Sequence, residues 1–187
     1  QGARGIIRRQ RERRAPFAAA NAQPRPDRAA TAAVVEAKTV IAAERADSAD
    51  AAPLITELEA ELAQHYPAES RHGYSVEKLL REGVAFFVAR IDGNPAGCGG
   101  VQIFGTEYGE LKRMYVRPAF RGRGLGRRML DRLAGHASQA GVRLLRLETG
   151  IQQTAAIRLY EAYGFHRRSA FPPYRHDPLS LYYEKSL

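Results

Sequence analysis

Apolar residues first recur with a regular spacing near Lys38, and from there the chain divides into alternating short blocks of period two and longer blocks of helical period. "TVIAAER" (39–45) predicts a first strand. A helix follows in which Ser48 is the candidate cap and Leu54, Ile55, Leu58, Leu62 and Tyr66 share one face. "SVEKLLREG" (75–83) predicts a short helix capped by Ser75 and ended near Gly83. "VAFFVARI" (84–91), the turn "DGNP" and "AGCGGVQIF" (96–104) read as a hairpin, and "GELKRMYV" (109–116) as another strand. Leu125, Met129, Leu130, Leu133 and Ala137 mark a helix that ends before "AGV" at 140–142. "RLLRLETG" (143–150) reads as a strand with Leu144 and Leu147 inside. In "TAAIRLYEAYGF" Ala156, Leu159, Tyr160 and Tyr163 share a helix face that Gly164 terminates, and "LSLYYEKSL" (179–187) closes the chain as a strand. There is no internal repeat, and the order of elements implies an α/β protein with a mixed sheet.

Composition narrows this picture. A chain of 187 residues suits one packed domain with a tail. Residues 1–37 carry eight arginines against Glu12, Asp27 and Glu36, followed by an Ala- and Pro-rich run with little to bury. This segment is expected to be a disordered basic extension, with a targeting leader or a binding arm for nucleic acid as the alternatives, and residues 38–187 to be the domain. Of the net charge of +9, residues 1–37 contribute +5 and the remaining residues +4, a mild excess, and nucleic acid is an unlikely partner. No apolar run approaches the roughly 20 residues that cross a bilayer, and the early "GII" is too short for a secretory signal, so no membrane partner is expected. One cysteine, Cys98, excludes an internal disulfide and fits a cytoplasmic location. The five histidines show no metal-ligand spacing, and no metal is expected.

The chemistry concentrates in "VRPAFRGRGLGRRML" (116–130). Glycines between a strand and a helix let backbone amides approach an anion, and the helix N-terminus adds its dipole. Two common phosphate loops are excluded. No Lys-Ser/Thr pair follows the glycines, and the third position after Gly124 is Arg127, after Gly126 Met129. The remaining spacing, R-x-x-G-x-G over Arg121 to Gly126, resembles motif A of the GNAT superfamily of acetyl-CoA-dependent N-acetyltransferases. A second stretch, "QQTAAIRLYEAYGF", is similar to that family's N-x-x-A-x-x-L-Y-x-x-x-G-F, with Gln153 in place of the usual Asn.

The resemblance implies a GNAT fold: a mixed central sheet of six to seven strands, splayed in the middle and flanked by about four helices. It implies acetyl-CoA as cosubstrate, with backbone amides of Arg121, Gly122, Arg123, Gly124, Leu125 and Gly126 on the pyrophosphate. Met114, Tyr115 and Val116 would pair with the pantetheine arm, with Arg127 and Gln153 as further contacts. It also places the general base at Glu110 and the general acid at Tyr160, and it allows a homodimer without marking an interface.

An amine with a pKa near ~10.4 must lose a proton before it attacks a thioester, which a nearby carboxylate can accept. Glu110 or Glu148 can serve, Glu148 being alternatively a substrate contact. A tyrosine hydroxyl stays protonated at neutral pH and can donate to the leaving thiolate. Substrate contacts are expected from "HYPAESRHGYS" (65–75) and "FPPYRHDP" (171–178), through Arg71, His72, Tyr174 and Arg175, with Lys112 on the strand face of Glu110. Such a pocket suits a small amine that carries a carboxylate. The competing readings are a protein Lys or N-terminal acetyltransferase, a non-catalytic acyl-CoA-binding module, and a nucleic-acid-binding module working through the tail.

Overall fold

A computed structural model describes residues 37–187, so the expected extension over 1–37 lies outside the described residues except for Ala37. Seven strands form one sheet: β1 (Thr39–Glu44), β2 (Ala85–Ile91), β3 (Asn94–Phe104), β4 (Tyr108–Val116), β5 (Leu144–Gly150), β6 (His166–Arg168) and β7 (Ser180–Ser186), ordered β1-β2-β3-β4-β5-β7-β6. Four α-helices accompany them: α1 (Ala51–Ala63), α2 (Val76–Arg81), α3 (Leu125–Gln139) and α4 (Thr154–Tyr163). All neighbouring strands are antiparallel except β4 and β5, which makes the sheet mixed.

The period-two pattern distributes side chains between two cores. On β2, Phe87, Ala89 and Ile91 join the core under α3 and α4, while Phe86 and Val88 join the one under α1 and α2. α1 has Asp50 rather than the expected Ser48 at its N-cap, although Ser48 Oγ accepts from Ala51 N at 3.1 Å; Ser75 caps α2 as expected, its Oγ accepting from Lys78 N at 3.2 Å. Gly164 ends α4 at φ +97°, a conformation that costs other residues steric strain.

A further expectation is corrected, and one strand is not anticipated by the pattern. Leu144 and Leu147 cannot both face one core on a strand: Leu145, Leu147 and Thr149 are the buried set, and Leu144 lies on the opposite face against the Tyr108, Phe171 and Tyr182 cluster. The three-residue β6, an edge strand of His and Arg, carries no hydrophobic pattern to announce it.

Candidate active site

The parallel ladder between β4 and β5 consists of two pairs, Gly109 with Leu145 and Glu110 with Arg146. Beyond Glu110 the strands part, so from Leu111 to Val116 the edge of β4 that faces β5 has no ladder partner. The opposite edge remains paired to β3, through a bulge that sets Arg113 at φ +54°. A cavity opens at the split, walled by both strands, the end of α1, the segment 70–74, Gln153, Tyr160 and Tyr174.

The glycine loop lies at the head of α3. Gly122 and Gly124 sit at φ +76° and +73°, where a side chain would be strained. Gly126 lets α4 approach: a Cβ there would stand 2.8 Å from Leu159 Cδ2. α3 has no side-chain cap, and its first helical bond runs from Arg128 N to Gly124 O at 3.1 Å. The amides ahead of Arg128 are thus the open donors of a helix N-terminus, a fit for an anionic diphosphate. Arg121 departs from its expected part in this cradle, because its amide donates to Pro118 O at 3.2 Å and its guanidinium to Val116 O and Glu61. Arg123 and Arg127 cover Phe120 and Tyr163 by cation–π contacts.

Beneath the cavity lies a buried ionic cluster. Lys112 Nζ donates to Glu110 Oε1 at 2.6 Å and to Tyr174 Oη at 3.0 Å, and Tyr174 Oη donates to the same Glu110 oxygen at 2.5 Å. Glu110 is fully buried and does not line the cavity, whereas Lys112 and Tyr174 do. Lys112 also lies over the Tyr74 ring, 4.2 Å from its centroid. Burial pulls its ammonium below the ordinary lysine value, with Glu110 acting in the opposite direction. Burial and the Glu110 charge both push the Tyr174 hydroxyl far up.

Glu148 and Tyr160 both line the cavity. Burial raises the Glu148 carboxyl above the usual range, while Ser180 Oγ donates to it at 2.6 Å and, with His72 and Lys112, works against the rise. Burial and the Glu148 charge raise the Tyr160 hydroxyl, so it stays protonated at neutral pH. Its ring is fixed edge-on against Phe165.

Among the expected acceptor contacts, Arg71, His72, Lys112, Glu148 and Tyr174 come together at the cavity. Arg175 does not: it is exposed and lines none of the cavity. His72 is tied to Asp177 at 3.3 Å, which joins the segment before α2 to the loop before β7. Of the pantetheine set, Met114 lines the cavity with Gln153, while the Tyr115 side chain is buried under α1. Tyr66 and Arg113 have no site role in the sequence reading. Tyr66 takes a bond from Gln152 N at 2.7 Å and packs on Gly150, where a Cβ would stand 2.3 Å from its ring. Its place one helical turn past Leu62 predicts only burial. Arg113 falls on the bulge and donates to Glu59 Oε2 at 2.8 Å and Tyr74 O at 2.7 Å. Cys98 is buried, and burial pushes its thiol up to about 12, consistent with a structural role.

Among the described residues no cluster of His, Cys, Asp and Glu could hold a metal ion, and no helix is long and apolar enough to cross a membrane. The model of the acetyltransferase (GNAT) family matches residues 52–165. An IAA acetyltransferase from Azospirillum brasilense is 47% identical over 136 residues, which cover 72% of this chain and 88% of that protein. A solved chain from Klebsiella pneumoniae, assigned to the acyl-CoA N-acyltransferases, superposes with a TM-score of 0.68 at 34% identity, covering 80% of this chain and 97% of its own. A GNAT family acetyltransferase from Elizabethkingia anophelis, solved with acetyl-CoA bound, shares the fold at 17% identity and a TM-score of 0.60, covering 80% of this chain and 98% of its own. With both signatures placed around a splayed β4–β5 pair, and with these matches, the chain belongs to the GNAT acetyltransferase family and is an N-acetyltransferase of that type.

Proposed function

We infer that the protein moves the acetyl group of acetyl-CoA to the amine of a small, carboxylate-bearing molecule, with Glu148 as general base and Tyr160 as general acid. The observation that carries this reading is that Glu148 and Tyr160 line one cavity at the β4–β5 split. The open amides at the head of α3 would receive the pyrophosphate, and the unpaired edge of β4 would receive the pantetheine arm. The acetyl carbon then lies between two groups whose ionisation suits them to opposite tasks. Glu148 takes one proton from the bound ammonium and passes it to solvent; the freed nitrogen bonds to the acetyl carbon and loses a second proton to Glu148 as the carbon–sulfur bond breaks. Tyr160 gives its proton to the departing sulfur and regains one by way of Glu148 and solvent.

Glu110, the base that the motif resemblance implies, is less suited to that task. Its Oε1 already accepts from Lys112 and Tyr174, and Glu110 does not line the cavity where an amine would bind, whereas Glu148 does. The name of the A. brasilense relative puts the acetyl group on a small molecule, IAA, which supports a small acceptor. The carboxylate reading rests on Lys112 and Arg71 at the cavity wall.

The test is release of free thiol by the full chain from acetyl-CoA with a panel of small amines, lysine-containing peptides and peptide N-termini. Turnover confined to small amines supports the reading. Turnover of peptides alone overturns the acceptor class, and acetyl-CoA binding with no release from any amine overturns the transfer itself.

A further inference from the structure

The charges around the cavity are separated by sign. On the β4 side one carboxylate serves two guanidiniums: Glu59 accepts from Arg71 Nη1 at 2.9 Å and from Arg113 Nη1 at 2.8 Å. One positive charge there is left over. Arg71 Nε is buried and has no hydrogen-bond partner among the described residues, and Arg71 lines the cavity. Leaving a charged donor unmatched in a buried place is costly, so this group points to a missing acceptor. Lys112 adds a second donor. An ammonium has three N–H bonds, of which Glu110 and Tyr174 use two. On the β5 side, among the described residues, Glu148 is the one carboxylate lining the cavity. Lys112 on β4 and Glu148 on β5, each two residues past the last ladder pair of Glu110 with Arg146, both line the cavity at the split. Neighbouring strands lie about 4.8 Å apart, and the splay widens that gap.

We propose that the acceptor is a zwitterionic α-amino acid, its carboxylate held by Lys112 and Arg71 on one side and its amino group presented to Glu148 on the other. The proposal rests on the transfer reading given above and narrows its substrate class. An α-amino acid carries both groups on one carbon, which matches a positive and a negative wall facing each other across the split. Its side chain meets apolar walls, among them Leu58, Leu62 and Leu111, which suits leucine, methionine or phenylalanine better than charged amino acids. Glu110 acts here as a positioning residue: it holds Lys112 Nζ in place and charged.

Thiol release by the full chain is measured with L-phenylalanine, its carboxamide and 2-phenylethylamine, with the leucine and methionine series in parallel. The expected result is a kcat/KM for the acid on the order of tenfold to a hundredfold above that of the amide or the decarboxylated amine. In K112Q this preference collapses while acetyl-CoA affinity is retained. If K112Q does not fold, R71Q serves the same comparison, and the preference of the unaltered protein decides in either case. Amides or decarboxylated amines that match the acids overturn the proposal and leave the transfer reading intact, as does an acid preference that survives both substitutions. Absence of release from every amine overturns the transfer reading, and the proposal with it.

Discussion

Lys112 Nζ stands 2.6 Å from Glu110 Oε1, on residues two apart along β4, with both side chains almost wholly withdrawn from water. Alternation puts them on one face of the strand, and Tyr174 closes over them from a loop 62 residues later than Lys112. Breaking such a pair leaves an uncompensated buried charge. Glu110→Ala is therefore expected to lower the unfolding free energy by about 3–5 kcal/mol, read from urea denaturation at neutral pH. The isosteric Glu110→Gln should cost less. If Glu110 positions Lys112 rather than taking the proton, this variant raises the acceptor KM and keeps the acid limb of the pH–rate profile.

Glu148→Gln should lower kcat by roughly 10²–10⁴, the ordinary range for a lost general base, and leave acetyl-CoA binding by calorimetry unchanged. The base works as the carboxylate, so the native rate falls as pH drops through the Glu148 pKa. Burial holds that pKa above the usual carboxylate range, which moves the acid limb toward neutrality. The limb should vanish in Glu148→Gln, and an unaltered limb there would assign the base elsewhere.

Tyr160→Phe removes one buried hydroxyl from the cavity wall and keeps the ring against Phe165. The expected outcome is a fall in kcat by roughly 10² or more with little change in the acetyl-CoA dissociation constant. Unchanged turnover would remove Tyr160 from the proton path.

Gly124→Ala places a Cβ on a residue at φ +73° where nothing else crowds it. The cost is purely conformational, about 1–2 kcal/mol, and thermal melting should show it as a lower midpoint. Because the same glycine opens the amide cradle, acetyl-CoA affinity should fall as well. A variant that melts lower and binds normally would separate the loop's conformation from ligand contact.

Most of the framework was legible because local chemistry dictated it. Ser75 and Gly164 bound their helices as their side chains, or lack of one, require, and the glycines at 122 and 124 take the left-handed backbone that their spacing suits. What escaped depends on contacts distant in sequence. Glu57, Glu59 and Glu61, on which the apolar pattern of α1 is silent, each bind an arginine from β4 or the loop beyond it: Arg117 at 2.6 Å, Arg113 at 2.8 Å and Arg121 at 2.7 Å. The motif placed Arg121 at the cofactor, while the fold turns its side chain toward α1. The same distance effect applies to the site. Lys112 and Glu110 were placed on one face by period two, but nothing local told which carboxylate would open onto the cavity and which would be sealed beneath it.

A two-pair ladder is a narrow seam for a sheet of seven strands. It leaves β1–β4 and β5-β7-β6 as two plates that share little backbone bonding, and a cosubstrate arm lying along the free edge of β4 would act as a temporary eighth strand. Amide exchange along Leu111–Val116 then becomes a gauge of occupancy, fast in the free protein and slowed once the arm is in place.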